Sequence, residues 1–592
     1  HYGCQDTDYT LRLMIFFEKK LIDLGLYSTF RNLIMSASRV LTSVEKNGLY
    51  LDREFNNQLL ETYKPKIDAA RQAIYDLPRV KKFEKKYNQE KIDKYIQSIE
   101  AELEELDYNY PKDKRKIVSR EQKISNIKAG IFTTKKEQEL IRPINLGSSV
   151  DLPALMYSEE GFHFEVIKNN ESGKPSTDEE TLTNLRLTVK KPDSPKAIFL
   201  DRLLELRGLE KMYKTYIEGW NEKVQDDDRL HGRFLIHGTT SGRLSSAEPN
   251  AQQIPKTSVD PNIKLQLKAP KGTLYIASDF SQAELRIMAH LSGDETYLNA
   301  FNSGQDPHLA IAATKYHIPY EEALKIYEDE NHPEHKIWKV RRKQAKQIAF
   351  GLIYGIGAKL LAVKLSDPKS GIIVTPEEAQ KEMDIFFGQH PKLKTFLKKQ
   401  EKFLRKNGHL VSLFGRKRRL PQIYSNDKGE EAYALRLALN FPCQSAASDM
   451  CLFGSILIYY LMRQGKLPST KSVCLVHDAN YQITKPENIN IWSIYEMWQI
   501  YRNPLTKPYF GFQIDDVTMD MEFVIGRSMA EELPFIPGYD YKKMLEPDFS
   551  VEEYMEEHKK YKHIPISEYK KRFNKQMKQY EKDFERTHGM ES

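Results

Sequence analysis

The spacing of apolar positions changes character several times along the chain. From Arg39 to Asp52 the sequence RVLTSVEKNGLYLD starts with helical spacing and shifts near Asn47-Gly48 to alternation, predicting a helix, a glycine turn and a strand. Residues 53–142 are dominated by Lys, Glu, Asp and Tyr, in stretches such as KKFEKKYNQEKIDKYIQSIEAELEEL that suit long helices with most faces in solvent. Residues 143–195 read as loops, and AIFLDRLLELRGLEKMYKTYI (197–217) reads as an amphipathic helix with its basic residues on the exposed side. Beyond 231, strands and helices alternate: KGTLYIASDF is a strand ending on a carboxylate, SQAELRIMAHL continues as a helix, and IWKVRRKQAKQIAFGLIY (337–354) is a helix with a basic face. SVCLVHDANYQIT reads as a hairpin around His477-Asp478-Ala479-Asn480, and charged helical sequence returns after Phe535. The longest apolar run, Cys451 to Met462, falls short of the roughly 20 residues that cross a bilayer and reads as a buried helix.

Composition narrows this picture only a little. At 592 residues the chain has room for three or four domains of about 150 residues each. With 40% hydrophobic and 29% charged residues it is globular in character, which excludes general disorder. A net charge of +7 permits a polyanionic partner without requiring one. Cys4, Cys443, Cys451 and Cys474 show neither zinc-ligand spacing nor a disulfide framework, so a reducing compartment is expected: cytoplasmic, host cytoplasm for a viral protein, not secreted and without a membrane partner. The chain begins at His1, so it is expected to be a fragment or a processed product.

The candidate chemistry is phosphoryl transfer. Joining a nucleotide to a 3′-hydroxyl builds charge on both attacking and departing oxygens, and two divalent ions about 3.5–4 Å apart can stabilise both. Carboxylates are the hard-oxygen ligands such ions prefer. Asp279 ends one strand and Asp478 sits in a tight turn; if their strands are sheet neighbours, both carboxylates emerge at one edge, and the Phe280 carbonyl can add a further oxygen. Taken singly, each aspartate reads as an ordinary cap or turn residue. On the 337–354 helix, Arg342, Lys346, Phe350 and Tyr354 recur every fourth residue on one face. Arg342 and Lys346 are thus about 6 Å apart along the axis, suited to successive phosphates, with Lys346 placed to protonate departing pyrophosphate. Gly351, Gly355 and Gly357 follow and allow close approach of a base pair or backbone.

Five ordered stretches carry a specific resemblance. SDFSQAELR (278–286), RRKQAKQIAFGLIYG (341–355) and LVHDA (475–479) resemble motifs A, B and C of the family A DNA polymerases, and TTSGRLSSAEPNAQQIP (239–255) and LRLALNFPCQSAASDM (435–450) resemble two further motifs of that family. The resemblance implies an α+β, right-hand polymerase fold with an antiparallel palm sheet and mostly helical thumb and fingers. It implies template-directed DNA synthesis from deoxynucleoside triphosphates on primer-template DNA, with two Mg²⁺ ions for which Mn²⁺ can substitute. Asp279, Asp478 and the Phe280 carbonyl match metal ligands, and Lys346 a catalytic residue; Arg342, His308 and Gln282 match nucleotide-binding positions. Glu284 matches the steric gate against ribonucleotides, Phe350 the position sensing the 3′-hydroxyl, and Tyr354 the nascent base-pair pocket. Arg243, Asn250, Gln252, Arg436, Asn440, Gln444 and His477 match primer-template contacts.

Two positions depart from the pattern: Ala479 stands where the family usually has Glu, removing an acidic group beside the metals, and Phe280 stands where Tyr is more usual. YGCQDTDYTLRL (2–13) resembles the last motif of the family's 3′–5′ exonuclease, with Tyr2 and Asp6 matching catalytic positions. Proofreading is not expected from this chain alone, and an upstream exonuclease polypeptide is an expected partner. The implied domains are an exonuclease stub (1–35), palm entrance (36–52), thumb (53–230) with a charged insertion at about 78–142, palm (231–299), fingers (300–425), palm (426–535) and a C-terminal extension (536–592). The insertion reads first as a solvated spacer and second as a processivity device or the seat of a processivity factor. Composition and insertions lean toward a bacteriophage source. A single-subunit RNA polymerase is the nearest rival, disfavoured by Glu284; a non-catalytic primer-template binder is disfavoured by Asp279, Asp478, Arg342 and Lys346 together.

Overall fold

The computed structural model describes residues 2–109, 114–366, 374–562 and 564–588. The chain divides into two compact units, His1–Asn57 with Gly219–Ser592, and Gln58–Glu218.

The larger unit is built on one five-stranded antiparallel sheet. In chain order its strands are β1 (Leu274–Phe280), β2 (Lys471–Val476), β3 (Ala479–Thr484), β4 (Met521–Gly526) and β5 (Leu533–Pro534). They lie in the order β5-β4-β1-β3-β2, which makes β1 the central strand. Side chains alternate along a strand. Leu274, Ile276 and Phe280 therefore face the core with Met521, Phe523 and Ile525, while Asp279 shares the opposite face with its direct partners Ala479 on β3 and Glu522 on β4. A one-residue register slip would carry Asp279 into the core, so burial of the other face specifies where its carboxylate emerges.

Four helices of this unit position the site: α1 (Ala283–Ser292), α2 (Pro307–Lys315), α3 (His335–Ile353) and α4 (Lys428–Arg463). By length and composition α4 could cross a membrane, yet 72% of its most apolar window is buried inside the protein; of the run Cys451 to Met462 expected to be buried, Cys451–Ile456 and Ile458 are buried, whereas Tyr460 is exposed and the rest half-buried. All four cysteines are free thiols. The segment after Phe535 is no loose tail: Ile536, Tyr541, Met544, Tyr554, Tyr569 and Met577 join the main core.

The smaller unit is helical. The charged block forms Pro78–Asn109 and Lys114–Lys128, as its pattern predicts. Val80 and Phe83 belong to this unit's main core with Leu152, Leu155, Phe199 and Leu203, whereas Ile96, Ile99 and Ile127 form a separate small core farther along the helical pair. The stretch expected as loops contains two short helices, Asp151–Tyr157 and Glu179–Thr188. The second is started by Asp178, whose carboxylate accepts the Thr181 N–H, a local cap that outweighs weak periodicity. The 197–217 helix is regular only over Pro195–Lys211 and widens to π-helical geometry over Met212–Glu218.

Candidate active site

Asp279 and Asp478 meet at one edge of the sheet. Asp279 is the penultimate residue of β1, and Asp478 lies in the two-residue turn joining β2 to β3. The Phe280 N–H donates to the Asp478 carbonyl at 3.4 Å, which makes the two aspartates backbone neighbours although far apart in sequence. The turn starts with His477 in the left-handed region (φ 53°), as primed two-residue hairpins require at their first central position. The expected four-residue centre is tighter than predicted, because Ala479 and Asn480 already pair with β1. Gln252 clamps this turn: its amide nitrogen donates to the Leu475 carbonyl and its amide oxygen accepts the His477 N–H at 2.9 Å. Asn250, beside it, caps the short turn that carries Gln252, accepting the Gln252 N–H at 3.0 Å.

The electrostatics of this edge suit a cation. Burial, then the neighbouring charges of Asp478 and Glu522, push the Asp279 carboxyl up to about 6. Burial also raises Asp478, against the pull of Arg243 and His477, and its Oδ1 is buried with no hydrogen-bond partner. An orphaned carboxylate oxygen beside a second strained carboxylate is what a bound cation would satisfy, so the two residues fit a divalent metal ion. As placed, no group of three or more His, Cys, Asp and Glu among the described residues gathers closely enough to hold a metal ion.

A second cluster joins three of the motifs. Arg243 Nη2 donates to Glu284 Oε1 at 2.5 Å and the Tyr354 hydroxyl donates to Glu284 Oε2, so one buried carboxylate ties the 239–243 loop, α1 and the end of α3 together. Burial raises the Glu284 carboxyl and, with Glu284 adjacent, the Tyr354 hydroxyl as well. Gln282, which precedes α1, is left-handed (φ 56°) with a buried, unpartnered side-chain oxygen, a strained position of the sort that gathers at functional sites.

On α3, Lys346 is exposed beside the Phe350 ring (5.8 Å), which stacks at 6.3 Å on Tyr354 and lies 5.8 Å from His308. Both ring nitrogens of His308 are buried without partners, and burial, then Arg342 and Lys346, push it down to about 4 against Asp306. Arg342 is paired with Asp306. On α4, Arg436, Asn440 and Gln444 follow a fourfold spacing along one face; Arg436 is exposed and the other two are half-buried, with Asn440 Oδ1 unpartnered. Asp6 is exposed on the N-terminal helix Tyr2–Asp23, and the Tyr2 side chain lies outside the described residues.

Sequence reasoning passed over three residues at this site. Glu522 flanks Asp279 on the side opposite Ala479, Asp306 grips Arg342, and Asp449 is fully buried against Arg416 (2.8 Å). The Arg416 side chain lies where a Cβ on Gly242 (φ 87°) would sit, 2.7 Å away, so glycine is required in the turn before Arg243.

The family model for DNA polymerase family A matches residues 114–491. The chain belongs to DNA polymerase family A. Among family A relatives it is similar to DNA polymerase I, thermostable, of Thermus aquaticus (32% identical over 319 residues, 54% of this chain and 35% of that protein). It is also similar to DNA polymerase I of Borreliella burgdorferi (28% over 479 residues, 81% of this chain and 42% of that protein). The chain thus spans well under half the length of these relatives. Its fold resembles the POL domain of Pol1 from M. smegmatis, solved in complex with DNA primer-template and dNTP (TM-score 0.63, 24% identity, 87% of this chain and 73% of that one). That is the α+β polymerase fold the motifs implied. Family A polymerases work with divalent metal ions, the class of ligand that Asp279 and Asp478 fit.

Proposed function

We propose that this chain copies a DNA template, adding deoxynucleotides to a primer 3′-hydroxyl. The observation that carries the reading is the meeting of Asp279 and Asp478 at the end of the central strand, beside the buried Glu284 network. Asp279, Asp478 and the Phe280 carbonyl would hold two Mg²⁺ ions, or Mn²⁺ in their place. Such ions, when bound, stabilise charge on the attacking and departing oxygens. The chain's own side chains do the rest. Arg342 and His308 bind the triphosphate, His308 as a neutral donor, since its environment disfavours the cation. Lys346 gives its proton to departing pyrophosphate. Glu284, held between Arg243 and Tyr354, presents a fixed wall to the sugar 2′ position, and Phe350 lies against the nucleotide. Arg243, Asn250, Arg436, Asn440, Gln444 and His477 contact primer-template, in part through minor-groove acceptors common to all correct pairs; Gln252 acts there by holding the hairpin turn.

In this reading the palm comprises 36–52, 231–299 and 426–535, the fingers 300–425 and the thumb 53–230. The helix Tyr2–Asp23, with Leu13, Ile15, Phe16 and Phe17 exposed, supports an exonuclease remnant that a separate or upstream exonuclease domain covers. The charged insertion and composition support a bacteriophage replicative enzyme acting in the host cytoplasm. Primer extension with all four deoxynucleotides and Mg²⁺ or Mn²⁺ is the test. Extension directed by the template base is expected; its absence with both metals removes the reading.

A further inference from the structure

Arg342 does not stand free on α3. Its Nε (3.1 Å) and Nη2 (2.5 Å) both donate to one oxygen of Asp306, and its guanidinium lies 5.5 Å from the Tyr327 ring. The other Asp306 oxygen accepts the Leu309 N–H at 2.8 Å and caps α2, the helix whose second residue is His308. The Asp306 backbone N–H donates to the Tyr320 hydroxyl at 2.9 Å, which anchors the carboxylate from a third element. One side chain therefore joins the start of α2, which carries His308, to the middle of α3, which carries Arg342. It occupies the Nε–Nη2 side edge of Arg342 and leaves the end-on fork, the two Nη1 N–H groups and the second Nη2 N–H, for a two-point contact with an anion.

We propose that Asp306 is a positioning residue for nucleotide binding: it fixes the Arg342 guanidinium so that its end-on Nη1–Nη2 fork meets the triphosphate, and by capping α2 it fixes His308 beside it. This rests on the polymerase reading and deepens it. A carboxylate that merely neutralised Arg342 would weaken phosphate binding. Here its second oxygen, the anchored backbone and the Tyr327 ring make the pair a rigid mount, so the ordering of a long side chain is completed before the nucleotide arrives.

The experiment separates the ion pair from the cap. Asp306→Ser keeps a capping oxygen but is too short to reach Arg342, Asp306→Asn keeps cap and reach but not charge, and Asp306→Ala removes both. In single-nucleotide incorporation, Asp306→Ser should raise the KM for the deoxynucleotide roughly tenfold, the scale of one charge-assisted hydrogen bond. The maximal rate, primer-template Kd and Tm should stay close to wild type, and the KM for pyrophosphate in the reverse reaction should rise by the same factor. In an Arg342→Ala background the substitution should add nothing, because the two act as one unit. Asp306→Asn should fall between wild type and Asp306→Ser. An unchanged KM for Asp306→Ser overturns the proposal and leaves Asp306 a helix cap; a lowered KM also overturns it, marking the carboxylate as a competitor of the phosphates. A wild-type chain that does not extend primers would instead remove the polymerase reading beneath it.

Discussion

Asp279 carries the cost of the site in its own ionisation. Its carboxyl is lifted to about 6 by burial and by two neighbouring carboxylates, so in the metal-free protein the ionised form is strained. Relieving that strain should stabilise the fold while destroying function, the trade expected where a site is tuned for chemistry. Asp279→Asn should raise the Tm in metal-free buffer. The sign follows from linkage: a carboxylate whose folded value is raised above the usual 3.8 penalises the native state fully above about pH 6, and the penalty fades toward pH 4. The gain in Tm should therefore be largest at neutral pH and vanish in acid, and calorimetry across that range checks it. Metal affinity of the wild type, followed by Mn²⁺ binding, should fall as pH drops through about 6. At Glu284 the prediction concerns selectivity. Glu284→Ala should raise ribonucleotide incorporation relative to deoxynucleotide by roughly tenfold or more, read from competing single-nucleotide additions.

At the scale of elements, the site depends on a hairpin turn held from outside. Gln252 grips the backbone on both sides of Val476, at the entrance to the turn, and His477 is in a backbone region that non-glycine residues seldom adopt. Gln252→Ala removes two buried hydrogen bonds and leaves a carbonyl and an N–H to find new partners, a loss of about 1–3 kcal/mol. Incorporation should slow because Asp478 is no longer held against β1, and faster hydrogen exchange at His477 should accompany the loss. The strand, the hairpin and α3 were legible because period-2 and period-3.6 patterns survive in them, and Asp279, Asp478 and Arg342 were legible through motif order. The Gln252 clamp was not, since a contact across more than 200 positions leaves no local pattern. Asp306 was passed over, because its grip on Arg342 depends on the packing of α2 on α3, which leaves no local pattern. Glu522 was hidden in an ordinary strand alternation, and only the register with β1 reveals that it faces Asp279.

At the scale of the molecule, the charged insertion is less separable than its sequence suggests. Val80 and Phe83 are part of the main core of the smaller unit, whereas Ile96, Ile99 and Ile127 form a core of their own. A deletion of 78–142 would remove buried anchors worth about 2–5 kcal/mol each and risk unfolding the unit. Replacing 92–132 with a short Gly/Ser linker should leave it folded. The replacement should leave the rate of single-nucleotide addition unchanged and, if the insertion is a processivity device, shorten the product made per binding event; unchanged product length would mark it as a spacer.

The meeting of Asp279 and Asp478 is tested most directly by rapid-quench incorporation of one deoxynucleotide on a primer-template with Mg²⁺. Wild type should incorporate the complementary nucleotide, and Asp279→Asn and Asp478→Asn should each lower the rate by about a thousandfold or more with primer-template affinity intact, the scale of losing stabilisation of transition-state charge. Incorporation by either variant within about tenfold of wild type would contradict the account, because the two carboxylates would then not be working as one site.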